Sequence, residues 1–264
     1  MPDAPDPARA LSIIAPAYNE EDRIGPFLEA YGRFFEEKYG RDYELIVVVN
    51  GSADRSADMA RDHARRYPGI RIIEEPRAIG KGGAVMMGLR EARGGLVGYV
   101  DADGATPPEA FQDLVDHIGD AGLIIASRWI PGAKVSPRQP LTRRIASRIF
   151  NFLVRGLFGV KISDTQCGAK LMTRDVLDTV LPLLGLTRWA FDVDLLFQTR
   201  RTGFAIVELP TTWSDKTGSK LRVMNASAQM FIAICRLRLL HSPLSWIVSL
   251  YDSAIGRFIS KQGE

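Results

Sequence analysis

The stretch LVGYVDADGAT, residues 96–106, is where the reading of this chain turns. Its first half is a short apolar run ending at Val100, the mark of a strand buried on both faces. Its second half sets Asp101 and Asp103 one residue apart in a turn that contains Gly104. Like charges so close repel, so the pair either lies in water, bonding its own backbone as Asp-Gly turns do, or holds a cation. Hard carboxylate oxygens suit Mg2+ or Mn2+, which keep several waters and bind through one or two carboxylates plus substrate phosphates. A place at the end of a central strand favours the cation.

Outward from this stretch, the first hundred residues alternate strand and helix signals. LSIIAP (11–16) is an apolar run closed by proline, and residues 19–40 carry acids in a first turn and apolar residues at helical spacing. YELIVVVNGS (43–52) reads as a buried strand running into a turn; SADMARDHARRY, IRIIEEP and IGKGGAVMMGLREA then give helix, strand and glycine-rich helix start. This order predicts an α/β domain with a mostly parallel sheet and helices on both faces. Ligands of such sheets bind beyond the carboxyl ends of the strands, where Tyr18, Asn50 and Asp101 all fall.

Composition sets outer bounds. The 264 residues are 46% hydrophobic and 25% charged, which is ordinary for a globular protein. A net charge of +3 is too mild to imply nucleic acid, but Arg and Lys crowd residues 128–174 and 216–238, which predicts an anionic partner at one face. Cys167 and Cys235 are far apart, without metal-ligand spacing, and the N-terminus has no secretory pattern, so reduced thiols and a cytoplasmic location are expected. Residues 1–10 read as a disordered leader.

GKGGA (80–84) offers backbone donors and the Lys81 cation at a helix start, a favourable place for an anion, although it matches neither a Walker loop nor GxGxxG. Asn50 can show an acceptor and donors to the edge of a base, or simply be the turn residue before Gly51.

Beyond residue 105 come a proline-started helix (TPPEAFQDLVDHI), a strand (AGLIIASR) and a proline-rich cationic loop (131–143). On a helix at 141–158, Arg144, Arg148, Asn151 and Arg155 share one face, while Leu141, Ile145, Ile149 and Phe152 share another. The basic face is either simply solvated or turned to lipid phosphate. Residues 222–264 form an amphipathic helical tail, in which Leu244, Ile247, Val248, Tyr251, Ile255 and Phe258 make a stripe suited to a core contact, a seam between two copies of the chain, or a peripheral membrane surface.

In order and spacing, APAYNE (15–20), VVNGSADRS, GKGGA, VDADGAT and IIASR resemble the family 2 glycosyltransferases, whose nucleotide-sugar domain has the GT-A fold; here it would span 11–221. DTQCGAKL (164–171), RWAFDVDLL (188–196) and WSDKTGSKL (213–221) resemble the branch that makes polyprenyl-phosphate sugars, its dolichyl-phosphate glucosyl members in particular. The resemblance implies that Pro16, Tyr18 and Glu20 line the nucleotide pocket and that Asn50 meets the base. It gives Lys81, Asp101, Ala102 and Asp103 the ribose, diphosphate and metal, with Arg128 near the donor. Arg143 and Lys220 would stand between donor diphosphate and acceptor phosphate, with Asp164, Gln166, Asp194 and Lys216 on the acceptor side.

Asn50 stands where the family carries an aspartate, which leaves uracil and guanine both open. Ala105 stands where mannose-using relatives carry a glutamine, which favours the glucosyl branch. The implied activity is inverting transfer of glucose from UDP-glucose to a polyprenyl phosphate at the cytoplasmic face of a membrane. The alternatives are a GDP-mannose donor, a hydroxyl acceptor that would need Asp164 or Asp194 as base, and a nucleotide-sugar-binding protein without turnover.

Overall fold

The alternating apolar runs of the first hundred residues build the central sheet. β1 (Leu11–Ala17) and β2 (Tyr43–Asn50) are almost wholly buried, as strands covered on both faces must be. The structure, a computed structural model, describes residues 10–137, 141–185, 190–214, 223–243 and 246. α1 (Glu21–Tyr39) begins with two acids, which suit the positive end of the helix dipole, and ends at Gly40, whose φ of 60° lies in the left-handed region. α2 (Ser56–Arg66), β3 (Ile70–Glu75), α3 (Gly80–Glu91) and β4 (Leu96–Tyr99) complete the alternation. α4 (Pro108–His117) starts on a proline, where the missing N–H costs no helical bond.

Among the described residues, the main sheet runs β3-β2-β1-β4-β7-β5-β8, with β5 at Leu123–Ser127, β7 at Lys170–Thr173 and β8 at Ile206–Pro210. β3, β2, β1 and β4 are parallel, as are β5 and β8; β7 lies antiparallel between β4 and β5. The predicted sheet is therefore present, with one reversed strand at its centre. Residues 131–143, expected as loop, contain β6 (Lys134–Ser136), which pairs in parallel with β9 (Thr212–Ser214) in a small second sheet.

α5 (Leu141–Phe158), α6 (Arg174–Val180), α7 (Phe191–Arg201) and α8 (Val223–Leu240) cover the later half. α8 packs against α5, and its Ile234 and Leu237 belong to the main core, so the first part of the expected tail is joined to the domain. The apolar stripe at 244–258 lies outside the described residues apart from Trp246, which is exposed.

α5 faces opposite to the arrangement its arginines suggest. Asn151, Val154 and Phe158 point inward, whereas Leu141, Ile145, Ile149 and Phe152 are 66%, 49%, 56% and 76% exposed. The buried amide explains the orientation. Asn151 Nδ2 donates to the Ser163 carbonyl, and its Oδ1 accepts from Thr165 Oγ1 at 2.5 Å and from the Thr165 N–H at 3.2 Å. No helix among the described residues is long and apolar enough to cross a membrane.

The reversed strand depends on Gly98 in β4. A Cβ there would stand 2.4 Å from the Lys170 carbonyl oxygen and 2.8 Å from the Phe111 ring. Gly98→Ala is expected to destabilise the domain by about 1–3 kcal/mol, the usual cost of overpacking, seen as a lower urea midpoint with an unchanged slope.

Candidate active site

β4 ends at Tyr99 and delivers Asp101 to the carboxyl edge of the sheet, between loops from β1 and β7. Its carboxylate is packed so closely against the 164–170 loop that a Cβ on Gly168 would stand 1.9 Å from Oδ2. Asp101 Oδ1 forms an ion pair with Lys81 Nζ at 2.7 Å, with both side chains about one-third exposed. Asp103 Oδ1 accepts the Ala105 N–H at 2.9 Å. Burial, and next the Asp101 charge, push the Asp103 carboxyl above its usual range.

Two carboxylates with unbalanced negative charge, reachable from solvent, fit a divalent ion that takes its remaining ligands from water and phosphate. Among the described residues no third carboxylate, histidine or cysteine completes a protein cage. Ala105 is buried, and its carbonyl accepts the Ser214 N–H at 2.8 Å, which ties the aspartate turn to β9. Ala102 is likewise buried beneath the turn.

Behind Asp101 lies a charged layer that sequence reading missed. Asp192, at the start of α7, accepts from Tyr99 Oη and from Lys170 Nζ, each at 2.5 Å. Its second oxygen faces Lys81 Nζ at 4.0 Å. Lys170 is fully buried and also donates to the Cys167 carbonyl at 2.7 Å. Desolvation alone would raise Asp192, but Lys170 and Lys81 outweigh it and hold the carboxyl below its usual range. Desolvation would lower Lys81; Asp101 and Asp192 overcome this and keep the ammonium charged above its usual range. Cys167 is buried under the site, and its thiol is pushed up to about 11, which leaves it unreactive at neutral pH.

On the donor side, Pro16 is half-buried in β1, and Tyr18 is 53% exposed just beyond it. Glu20 grips Arg23 through two hydrogen bonds of 2.6 and 2.7 Å, yet burial raises its carboxyl above the usual range. Asn50 differs from expectation. It is buried, its Nδ2 donates to the Ala17 carbonyl at 2.9 Å, and its Oδ1 accepts the Gly80 N–H at 3.2 Å. Both ends of the amide join the end of β1 to the start of α3. An aspartate could not donate to Ala17, which accounts for the amide here.

Arg128, at the end of β5, is held by Asp164 through Nε at 2.7 Å and Nη2 at 2.9 Å, and its guanidinium lies 5.3 Å from the Trp213 ring centre. Asp164 is thus a buried clamp for Arg128. Gln166 has a buried amide nitrogen with no partner among the described residues. Asp194 turns the other way, accepting from Gly185 N at 2.9 Å and Gln198 Nε2 at 3.2 Å, with His241 at 3.7 Å. Arg143 lies on α5 with its side chain outside what the structure describes, and Lys216 and Lys220 lie outside the described residues.

A cavity of about 430 Å³ opens beside Arg128, walled by Trp129, Ile130, Pro131 and Val135 and by Arg144 and Arg148 of α5. Arg148 stacks 5.1 Å from the Trp129 ring centre.

Acids and a lysine meet at the strand ends of a mostly parallel sheet, as the GT-A resemblance of the sequence implies. Solved structures agree in fold. Glucosyl-3-phosphoglycerate synthase from Mycobacterium tuberculosis, in complex with UDP, superposes with a TM-score of 0.61 over 86% of this chain and 79% of that one, at 21% identity. A mannosyltransferase from Pyrobaculum calidifontis, in complex with GDP-Man and Mn2+, gives 0.60 over 97% and 77%, at 20% identity.

The family model for glycosyl transferase family 2 matches residues 12–181, and the chain belongs to that family. It is 35% identical to a dolichyl-phosphate beta-glucosyltransferase of Dictyostelium discoideum, over 86% of this chain and 73% of the relative. The human protein of the same name is 32% identical over 91% of this chain and 78% of its own length.

Asn50→Ala would leave a buried carbonyl and N–H unpaired and is expected to cost about 1–3 kcal/mol. The measurement is thermal unfolding together with the ratio of UDP to GDP affinity. An unchanged ratio is expected from a tie between elements; a switched ratio would return Asn50 to base recognition.

Proposed function

We propose that this chain is an inverting hexosyltransferase that moves glucose from UDP-glucose to a polyprenyl phosphate of the dolichyl type. The observation that carries the acceptor assignment is the cavity beside Arg128, in which three arginines meet apolar walls. Such a lining suits a phosphate monoester attached to a hydrocarbon chain. The names of the relatives supply the sugar and the lipid class.

The charge chemistry supports a phosphate nucleophile over a hydroxyl. A phosphate monoester has a second pKa of about 6, so it is already an anion at neutral pH and needs no base. The carboxylates that could have served as base are engaged: Asp164 by Arg128, Asp192 by Lys170 and Tyr99, and Asp194 by the α7–α8 junction. The phosphate oxygen attacks the anomeric carbon from the side opposite the nucleoside diphosphate, which leaves with its bonding pair and inverts the centre. Asp101 and Asp103 would hold Mg2+ or Mn2+, which neutralises the departing diphosphate. Lys81 adds charge on the same side, and Arg128, fixed by Asp164, faces the junction of donor and acceptor.

The exposed apolar side chains of α5, together with Phe231 and Ile232 on the contacting α8, are 47–76% exposed and suit a lipid surface bearing the acceptor. These side chains support the reading of the chain as a peripheral protein on the cytoplasmic face of a membrane.

A panel of UDP-glucose, UDP-galactose, UDP-N-acetylglucosamine and GDP-mannose with a short polyprenyl phosphate, read by product mass, tests the assignment. UDP-glucose is expected to give the main product; a GDP-mannose product would overturn the donor. Replacing Arg144 and Arg148 with alanine should raise the acceptor KM about 10- to 100-fold, the scale of lost charge-assisted bonds, with donor affinity unchanged. Loss of donor binding alone would argue against the cavity.

Ile149→Glu with Phe152→Glu should lower recovery on floated liposomes while leaving the melting temperature intact, because both side chains are already in water. Equal recovery would remove α5 from the membrane contact.

A further inference from the structure

Asp192 has no role among the groups considered so far, yet it touches the most constrained part of the site. One oxygen is saturated by Tyr99 Oη and Lys170 Nζ, both at 2.5 Å. The other faces Lys81 Nζ at 4.0 Å, while that same ammonium sits 2.7 Å from Asp101. Lys81 is therefore poised between two carboxylates. One is about a third exposed at the carboxyl edge of the sheet, and the other is buried on α7.

This arrangement matters because Asp101 is asked to do two things. Paired with Lys81 it is neutralised; as a ligand of a divalent ion it must give up that pairing, since ammonium and metal repel each other at one carboxylate. An ammonium released without a partner beside the site would oppose the ion's entry. Asp192 removes that penalty. A shift of the ammonium by roughly 1.2 Å brings it to charge-assisted bonding distance of the second carboxylate.

The charges support the exchange. Asp101, Asp192, Lys81 and Lys170 sum to zero and Asp103 leaves one negative charge, so a divalent ion leaves one positive charge facing an incoming diphosphate. Tyr99 serves both lysines as a common floor, with Lys81 Nζ 5.9 Å and Lys170 Nζ 5.3 Å from its ring centre.

We propose that Asp192 is a positioning residue of the donor site, a second seat that takes over the Lys81 ammonium when a divalent ion occupies Asp101. This rests on the reading of Asp101 and Asp103 as the metal and diphosphate site. Asp192 touches neither sugar nor phosphate; it acts through Lys81.

The test is Mn2+ binding without turnover, with UDP present, followed by the electron paramagnetic resonance of free Mn2+. Asp192→Asn also strips buried Lys170 of its counter-charge, so every protein is made with Lys170→Met, and those that keep Asp192 are checked for an intact fold by thermal unfolding. In that background, Asp192→Asn is expected to weaken Mn2+ at least tenfold. With Lys81→Met added, the same change should cost about twofold, the remainder being the direct attraction of a nearby carboxylate for a cation. A purely structural Asp192 would give the same factor with and without Lys81, and that result overturns the inference. Asp101→Asn is the control. If it leaves Mn2+ affinity unchanged, the metal reading falls and the inference with it; if it abolishes binding while the two Asp192 factors remain equal, the inference alone falls.

Discussion

Repulsion between Asp101 and Asp103 is the constraint around which the later half of the molecule is organised. A strand end can place two carboxylates in one small volume only if cations are supplied from elsewhere. Here Lys81 comes from the glycine-rich start of α3, and the layer behind it from β7 and α7. The reversed strand β7 is what makes this feasible. Lying beside β4, it carries Lys170 under Tyr99 and runs Gly168 past Asp101, where any side chain would collide with the carboxylate. The antiparallel strand within an otherwise mostly parallel sheet is thus tied to the charge balance of the site.

That dependence also explains what could be read from sequence. Strand ends in an alternating pattern have a fixed meaning, because parallel strands all deliver their carboxyl ends to one edge. The placement of Tyr18, Asn50, Lys81 and Asp101 near that edge was therefore legible from local signals. Asp192 was not, and the reason is geometric. It lies two residues from Asp194 at the start of one helix, and residues i and i+2 of a helix project about 200° apart. One of the two must face away from whatever the other faces, and only packing decides which. Here Asp192 joins the charged layer while Asp194 binds Gly185 and Gln198. Asn50 shows the converse limit. Its chemistry suits a base edge equally well, and only the neighbouring Ala17 carbonyl and Gly80 N–H, one from each adjoining segment, reveal that it ties two elements together.

The helix α5 carries the same lesson into surface chemistry. A two-faced pattern tells that a helix has an inside, not which side that is. Apolar residues at 141, 145, 149 and 152 would ordinarily be buried, but the inward face is set by Asn151, which satisfies three backbone and side-chain groups of the 163–165 segment. Leaving a buried backbone group unpaired costs as much as burying a good apolar side chain gains, so one well-placed amide can turn a helix. The apolar stripe is left outside, and under the proposed lipid-phosphate reading a bilayer surface would cover it.

These contacts also join surface and chemistry mechanically. Asn151 holds Ser163 and Thr165; Asp164, between them, clamps Arg128; Glu208 of β8 fixes the same segment by accepting the Ser163 and Asp164 N–H groups at 2.8 and 3.1 Å. Arg128 is therefore anchored through Asp164 to the sheet on one side and to α5 on the other. The outer face of α5 is thus linked through Asn151 and the 163–165 segment to Arg128. The cavity wall formed by Arg144 and Arg148 belongs to that same helix. The groups that would bind an acceptor phosphate and the face that would meet its bilayer thus lie on the same helix.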